Sequence, residues 1–241
     1  MQINGMMQRV LVVDDSKTVT RTVEKVLESA DYEVIIAHSG EAALDLIQKV
    51  GLPHLAIVDI NMHPYMDGFA FCKKLLTFSD VPIILLTGDD SEETIVKGLQ
   101  LYAEDYITKP FRAQELKVRV WRMLQRMGDF NYTFDALIKV DDRLQINLPE
   151  RQVEVGDTTT SLTPTEAKIL YILLKNAGRI VRTDFLLRRI WPGEEAFEDR
   201  LHPHIYRLRK KIERNPKEPD YVIAEWGVGY TFPTSEDLAT V

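Results

Sequence analysis

Five polar side chains in the first half of the sequence stand directly after short apolar or strand-like segments. They are Asp14, Asp15, Asp59, Thr87 and Lys109. If those segments are parallel strands, the five groups gather at the carboxyl edge of one sheet, where ligands bind in such folds. Three carboxylates at one edge repel one another unless a cation joins them, and oxygen ligands with retained waters suit Mg²⁺. The sequence therefore predicts a magnesium site that can also hold a phosphoryl group.

Asp59 is the candidate nucleophile of this site, because a carboxylate at a strand end can form an acyl phosphate. Lys109 would neutralise phosphoryl charge as a point cation, and the Thr87 hydroxyl could donate a hydrogen bond to a phosphoryl oxygen. Each of these residue types is common in loops and turns, so the prediction depends on their joint order along the chain.

The elements that must position these groups alternate between apolar strands and amphipathic helices from residue 9 to residue 127. A helix is expected near residues 19–30. Strands are expected near Val10, Val34, Ala56, Ile83 and Tyr106. Such alternation predicts an α/β domain with a doubly wound, five-stranded parallel sheet of the flavodoxin-like type.

The chain length of 241 residues exceeds the usual size of one core, so two domains are expected. We place the first domain at residues 7–127, a linker at 128–136 and the second domain at 137–234.

The apolar runs are far shorter than the roughly 20 residues of a membrane helix. A single cysteine, Cys72, leaves no internal disulfide framework, which favours the reducing cytoplasm. The net charge of -7 disfavours a nucleic-acid partner unless basic residues are concentrated locally.

The second half begins with strand patterns and continues with helix signals. Hairpin strands are expected within residues 137–146 and 152–155. A helix then opens with Thr163 as N-cap, Pro164 at the first position and Glu166 three residues after the cap. A second helix is expected near residues 182–191, and a third ends near Arg214.

The third helix has a basic face that is of interest for nucleic-acid binding. Leu201, Ile205, Leu208 and Ile212 recur at helical spacing and predict a buried stripe. The side chains expected to face away from this stripe are Arg200, His204, Arg207, Lys210, Lys211 and Arg214. Residues 200–214 contain six Arg or Lys against one acid, so this helix could contact phosphates and base edges in a major groove.

The motifs of the first half resemble those of two-component receiver domains. The matching segments are VLVVDD, VDINM followed by MDGF, IILLTG and DYITKPF. The resemblance implies that Asp14 and Asp15 hold Mg²⁺, that Asp59 accepts the phosphoryl group and that the Asn61 carbonyl completes the metal shell. It also implies phosphate binding by Thr87 and Lys109, a switch role for Tyr106 and a cis peptide before Pro110. The residues that match the family's dimer face are Asp105, Glu115 and Arg119.

The second half resembles the OmpR/PhoB class of winged-helix domain. The matching segments are LTPTE, HIYRLRKKI and GVGY. The resemblance implies that a helix from about His202 enters the major groove and that a hairpin around Gly227 is a wing beside the minor groove. It further implies that the loop near Trp191 to Phe197 contacts RNA polymerase.

Several positions depart from the two family patterns. His63 is an extra residue between the phosphoacceptor and MDGF. Tyr102 stands where glycine is usual, and Ile95 where a basic residue usually joins the dimer ion pairs. Trp226 and Thr231 occupy positions that are usually basic in the wing. Pro203 lies within the recognition segment, so the sequence predicts a helix capped by His202 that starts at Pro203, where a proline is harmless.

The sequence therefore predicts a DNA-binding response regulator that is phosphorylated by a sensor histidine kinase, dimerises and binds repeated half-sites in promoter DNA. One alternative is a receiver whose winged helix acts through protein contacts, which Pro203 and Trp226 motivate. A second is a phosphohydrolase working through an aspartyl phosphate, although Asn61 stands where that chemistry calls for a second aspartate. We expect a regulator, not an enzyme.

Overall fold

The structure is a computed structural model that describes residues 2–3, 6–62, 64, 66–88, 96, 98–99, 102–125 and 135–238. The chain forms two compact units. The first consists of residues 1–76 and 81–129, and the second of residues 77–80 and 130–241. In the described part of the chain, no helix is both long enough and apolar enough to cross a membrane.

The first unit is built on a parallel five-stranded sheet, as the sequence predicts. Its strands are β3 (Arg9–Val13), β4 (Glu33–Ala37), β5 (Leu55–Asp59), β6 (Ile83–Thr87) and β7 (Asp105–Thr108), in the order β4-β3-β5-β6-β7. A short antiparallel pair, β1 (Gln2–Ile3) and β2 (Met6–Met7), precedes them. The three central strands are almost wholly buried, because helices cover both faces.

Four described helices accompany this sheet: α1 (Lys17–Glu28), α2 (Gly40–Val50), α3 (Gly68–Leu75) and α4 (Ala113–Gln125). Ser16, Ser39 and Asp67 cap the first three through their side-chain oxygens. Helices α1 and α4 pack together with alternate residues of the sheet, among them Val10, Val12 and Ile57, in one apolar cluster. Helices α2 and α3 pack against each other. The fold is therefore the doubly wound arrangement that the sequence predicts.

The second unit begins with a four-stranded antiparallel sheet. Its strands are β8 (Ile138–Lys139), β9 (Leu144–Asn147), β10 (Gln152–Val155) and β11 (Thr158–Ser161), in the order β11-β10-β9-β8. Within residues 137–146, where hairpin strands are expected, the structure has two strands, β8 and the start of β9, with a turn between them. Strand β11 is not predicted by the sequence, because its Thr-rich stretch has no apolar alternation and is mostly exposed.

Helices and a hairpin complete the second unit. The helices are α5 (Pro164–Lys175), α6 (Thr183–Ile190), α7 (Glu198–Ile212) and the short α8 (Ser235–Leu238). The predicted capping box of α5 is present, with Thr163 and Glu166 each accepting the other's backbone N–H. Strands β12 (Val181–Arg182), β13 (Ile223–Glu225) and β14 (Gly229–Thr231) form an antiparallel sheet in the order β12-β14-β13. Strands β13 and β14 are the predicted hairpin.

The predicted start of the third helix is wrong. Helix α7 begins at Glu198, five positions before Pro203, and the proline lies inside it. Proline removes one backbone hydrogen bond and crowds the preceding turn, which costs about 3 kcal/mol in a helix interior. Burial of Leu201 before the proline and of Ile205 after it holds both sides of the helix against the domain. Tertiary packing therefore overrides the local preference to start at the proline.

Some predictions concern residues outside the described part of the chain. They include the inserted His63, Ile95 and most of the predicted linker, of which residues 135 and 136 are described. Tyr102, the other departure in the first unit, is described. Its ring lies against Phe69 with 5.7 Å between the centroids.

Candidate functional site

Three carboxylates meet at the carboxyl edge of the parallel sheet. Asp14 follows β3, Asp15 comes next in the chain, and Asp59 ends β5. One carboxylate oxygen from each lies within 4.8 Å of the others. Asp14 and Asp59 are buried, and Asp15 is exposed. Strands β3 and β5 are neighbours in the sheet, so their ends bring these groups together as the sequence predicts.

Lys109 bridges the two buried carboxylates. Its Nζ lies 2.7 Å from Asp14 Oδ2 and 2.8 Å from Asp59 Oδ2. The lysine follows β7, and the Lys109-Pro110 peptide is cis, as the resemblance implies. Because β7 is two strands away from β5, only the assembled sheet can bring Lys109 to Asp59.

The electrostatics of the cluster favour an added cation. Burial raises the pKa of Asp59; Lys109 acts to lower it, and the Asp14 carboxylate acts to raise it. Burial acts to lower the pKa of Lys109, but hydrogen bonds to Asp14 and Asp59 outweigh that effect and raise it. Three carboxylates thus face one ammonium group, and their excess negative charge suits a divalent ion with oxygen ligands.

The other predicted groups of the first unit lie at the same edge of the sheet or in the neighbouring loops. Thr87 ends β6 and is buried, and its carbonyl accepts the Lys109 N–H at 2.7 Å. The Asn61 N–H donates to Asp59 Oδ1 at 3.3 Å. Tyr106 is half-buried on β7. The geometry places Thr87 beside the cluster, and the switch role of Tyr106 stays a prediction.

Gly68 lies against the backbone of the loop that follows Asp59, a contact that the sequence did not predict. Its N–H donates to the Ile60 carbonyl at 3.0 Å, and a Cβ on Gly68 would lie 2.1 Å from the Asp59 carbonyl oxygen. Gly68→Ala should therefore displace the Asp59 loop and lower stability by about 1–3 kcal/mol. Chemical denaturation measures the stability, and labelling by a small phosphodonor measures the acceptor. Gly88→Ala is the control, because a Cβ there meets no atom within 4 Å. Equal stability and labelling of the two variants would contradict the prediction.

The predicted dimer-face residues form an ion-pair cluster on one surface of the first unit. Arg119 donates to both oxygens of Asp105 at 2.9 Å and to Glu115 Oε1 at 2.9 Å. The exposed Val118 and Trp121 lie on the same helix, α4. All three predicted charges are thus brought together within one protomer, and their role between protomers stays a prediction.

The predicted buried stripe of helix α7 is confirmed, since Leu201, Ile205, Leu208 and Ile212 are all buried. The six polar residues do not share one exposed face, however. Arg200, Arg207, Lys210 and Arg214 are exposed, whereas His204 and Lys211 are only half-exposed. This corrects the expectation that all six point away from the domain.

Two of the six side chains are engaged inside the domain. Lys211 Nζ lies 2.7 Å from Glu166 Oε2 and 2.8 Å from the Ser161 carbonyl oxygen. The His204 ring packs on Trp191 at 5.7 Å between centroids. Burial, together with the charges of Arg207 and Arg200, lowers the pKa of His204, although Glu166 acts to raise it. A neutral, half-buried imidazole contributes little attraction for phosphate.

Arg200 is exposed but also makes contacts within the domain. Its guanidinium lies 4.3 Å from the centre of the Trp191 ring and pairs with Glu194 at 2.5 Å. Within the part of the chain that the structure describes, Arg207, Lys210 and Arg214 make no ion pair. They are therefore the side chains best placed to contact phosphates.

Tyr206 belongs to the same exposed surface and was missed by sequence reasoning. Half of its side chain is exposed, and Lys210 Nζ lies 4.9 Å from its ring centre. Its position four residues before Lys210, outside the buried stripe, is the signal that could have identified it. We define the basic surface of α7 as Tyr206, Arg207, Lys210 and Arg214.

An acidic pocket at strand ends, joined in one chain to a winged-helix unit with a basic helix, defines a receiver protein with a DNA-binding output domain. Two family models match the chain accordingly. One, described as the response regulator receiver domain, matches residues 10–121, and the other, described as the C terminal of transcriptional regulatory proteins, matches residues 157–232.

Two curated relatives support the same class over almost the whole chain. The regulatory protein VanR of Enterococcus faecium is 37% identical over 230 residues, which cover 93% of this chain and 98% of VanR. The DNA-binding response regulator MtrA of Mycobacterium leprae is 34% identical over 226 residues, which cover 93% of this chain and 98% of MtrA. A solved structure, the OmpR/PhoB homolog DrrB of Thermotoga maritima, is 30% identical, with coverage of 95% and 100% and a TM-score of 0.46.

The chain belongs to the OmpR/PhoB type of two-component response regulators. It is a transcription regulator with a receiver domain and a DNA-binding domain, and it is not an enzyme.

Proposed function

We propose that Asp59 accepts a phosphoryl group from a sensor histidine kinase, and that this modification promotes dimerisation and binding of promoter DNA. The observation that carries the proposal is the pairing of Lys109 with both Asp14 and Asp59 at one edge of the sheet. A nucleophilic carboxylate, a phosphate-neutralising cation and further oxygen ligands are thereby held together before any phosphoryl group arrives.

The residues present fit a magnesium ion. Asp14, Asp15 and Asp59 would hold it, together with the carbonyl of Asn61, and their carboxylate oxygens lie within 4.8 Å of one another. A bound Mg²⁺ supplies charge neutralisation between the carboxylates and the incoming phosphoryl oxygens.

The transfer itself is a displacement at phosphorus. An Asp59 carboxylate oxygen forms the new O–P bond while the N–P bond to the kinase histidine breaks, and the electron pair of that bond returns to the imidazole nitrogen. Lys109, freed from its contact with the reacting oxygen, neutralises a phosphoryl oxygen. The Thr87 hydroxyl donates to another phosphoryl oxygen, so the modified state draws Thr87 toward Asp59.

The movement of Thr87 toward Asp59 changes the surface formed by β7 and α4. Tyr106 is the switch side chain that transmits this change from Thr87 to the surface. Arg119 already pairs with Asp105 and Glu115 within the protomer. Dimerisation exchanges these pairs for equivalent pairs with a second copy, and phosphorylation shifts the population toward the receiver state that favours the exchange. In the dimer, two copies of the basic surface of α7 bind repeated half-sites, and the loop from Trp191 to Phe197 is left to contact RNA polymerase.

The proposal is tested by selecting bound sequences from random duplex DNA, with and without beryllofluoride and Mg²⁺ as a mimic of the phosphorylated state. We expect a repeated motif whose enrichment is stronger with the mimic. The matched control is the Asp59→Asn variant with the same additives, which should show no such increase. Failure to enrich any motif in either state would favour the alternative in which the winged helix acts through protein contacts.

A further inference from the structure

The loop between β5 and α3 carries one of the proposed metal ligands, Asn61, and is fixed at both ends. Ile60 and Met62 are buried on either side of the exposed Asn61. At the other end of the loop, the Gly68 N–H donates to the Ile60 carbonyl. The loop comprises residues 60–67, whereas connections from a strand to a helix usually have about two to six residues. Because a longer loop loses more conformational entropy when it is fixed, contacts in its second half matter for its position.

The first turn of α2 makes such a contact with Met66, in the second half of the loop. The Met66 N–H donates to Glu41 Oε1 at 3.1 Å and to Glu41 Oε2 at 3.4 Å. The Met66 side chain lies against the backbone at Gly40, where a Cβ would be 2.9 Å from the methionine Sδ. The start of α2 therefore holds both the backbone and the side chain of Met66.

Glu41 makes this contact as a carboxylate. Its own backbone N–H lowers its pKa most, and the Met66 N–H, the Ser39 side chain and the charge of Lys74 lower it further, although loss of hydration acts to raise it. An ionised acceptor forms a stronger hydrogen bond with an N–H than a neutral oxygen does. Glu41 does not belong to the group of three carboxylates that could share a metal ion. Any effect of Glu41 on that ion therefore acts through the loop.

The start of α2 is itself fixed beside the acidic cluster. Helix α2 follows β4, which is the neighbour of β3 in the sheet. The Asp14 N–H donates to the Ala37 carbonyl at 3.2 Å, and His38 Nδ1 lies 3.1 Å from the Asp14 carbonyl oxygen. The contact between Glu41 and Met66 therefore joins two loops at the edge of the sheet where the metal ion would bind.

We infer that Glu41 is a positioning residue for the metal site, because its hydrogen bond to the Met66 N–H holds the loop in which the Asn61 carbonyl binds Mg²⁺. The inference rests on the proposed magnesium site. A loop released at Met66 has more conformations, and in part of them the Asn61 carbonyl does not reach the ion. Loss of the contact should therefore weaken Mg²⁺ binding while all three carboxylates stay in place.

The test measures Mg²⁺ binding to the metal-free, full-length protein by titration calorimetry. Glu41→Ala should weaken Mg²⁺ binding about fivefold, because it removes the charge-assisted hydrogen bond that holds the loop. Glu41→Gln keeps an acceptor oxygen and should bind Mg²⁺ within about twofold of the unmodified protein. The matched control is Asp45→Ala, which removes another exposed acid of α2 and should bind Mg²⁺ as the unmodified protein does.

A second measurement follows the Met66 N–H itself in metal-free protein labelled with ¹⁵N-methionine. Its resonance is assigned by its loss in Met66→Leu. The Met66 N–H should exchange with solvent several-fold faster in Glu41→Ala than in the unmodified protein, and at an unchanged rate in Glu41→Gln. In phosphorylation by acetyl phosphate, Glu41→Ala should need about fivefold more Mg²⁺ to reach half of its maximal rate, and that maximal rate should be unchanged.

The outcomes separate this inference from the proposed function. If Glu41→Gln weakens Mg²⁺ binding as much as Glu41→Ala does, the charge of Glu41 acts and not its hydrogen bond, and the inference is overturned. It is also overturned if Glu41→Ala binds Mg²⁺ as tightly as the unmodified protein or leaves the exchange of the Met66 N–H unchanged, and the proposed function then stands. If the unmodified protein binds no Mg²⁺, the proposed magnesium site fails as well.

Discussion

Asp59→Asn is expected to abolish acid-labile phosphorylation of this protein. The amide matches the carboxylate in shape but is not a nucleophile toward phosphorus, so no acyl phosphate can form. Lys109 retains its contact with Asp14 at 2.7 Å, which should keep the edge of the sheet in place. Incubation with acetyl phosphate and Mg²⁺, followed by phosphate-affinity electrophoresis, measures the modified fraction. We expect labelling to fall from near completion to background.

The control for this prediction is Asp45→Asn, an exposed position on α2 that is not part of the acidic cluster. It should be labelled as the unmodified protein is. Chelation of Mg²⁺ by EDTA should abolish labelling of both Asp45→Asn and the unmodified protein, since the three carboxylates would then lack a cation. Full labelling of Asp59→Asn would show that another residue is the acceptor.

Lys211→Met is expected to lower the free energy of unfolding of the second unit by about 3 kcal/mol, because it leaves a buried carboxylate without its cation. Glu166 is fully buried, and its Oε2 accepts from Lys211 Nζ at 2.7 Å and from the Thr163 N–H at 2.9 Å. Lys210→Met is the matched control. The neighbouring Lys210 is exposed against Tyr206, so its loss should leave stability unchanged within about 0.5 kcal/mol. Urea denaturation followed by circular dichroism measures both effects.

The variants Lys211→Met and Lys210→Met should also differ in the pH dependence of their stability and in their DNA binding. Burial acts to raise the pKa of Glu166, but Lys211 and Thr163 outweigh it, so the pKa lies below its ordinary value of 4.5. The Glu166-Lys211 pair therefore stabilises the fold above about pH 4.5, and this stability is lost as pH falls through the lowered pKa. The loss in free energy of unfolding caused by Lys211→Met should become smaller as the pH falls through this lowered pKa. Lys210→Met should instead reduce the salt slope of DNA binding by about 0.9. Equal stability of the two variants would refute the assignment.

The acidic site could be predicted because its placement follows from the parallel strands. Each predicted group stands after its own apolar run, and parallel strands end at one edge, so the order of the motifs was enough to place Asp14, Asp59 and Lys109 together. The close approach of Gly68 to the Asp59 carbonyl could not be predicted, because it depends on a distance between two backbone segments.

The basic helix α7 shows which properties of the charged residues could not be predicted from the sequence. Helical periodicity identifies the buried stripe, but it does not show which Lys and Arg side chains beside the stripe form ion pairs within the domain. Lys210 and Lys211 are adjacent and chemically identical, yet one is exposed and the other is paired with Glu166, 45 residues away along the chain. The predicted helix start at Pro203 was wrong for a similar reason, since burial of Leu201 outweighs a local preference.

The amino-acid sequence by itself predicted the doubly wound sheet and the meeting of the three carboxylates at one edge, because apolar periodicity and the residues that follow each strand are local properties of the chain. The class of protein followed from the resemblance of its motifs to receiver and winged-helix domains. The tertiary structure alone decided which charges are available to a partner and which are used to hold the domain together. That division depends on burial and on contacts between distant segments, such as Lys211 with Glu166, and it is also what leaves Trp226 exposed at the tip of the hairpin.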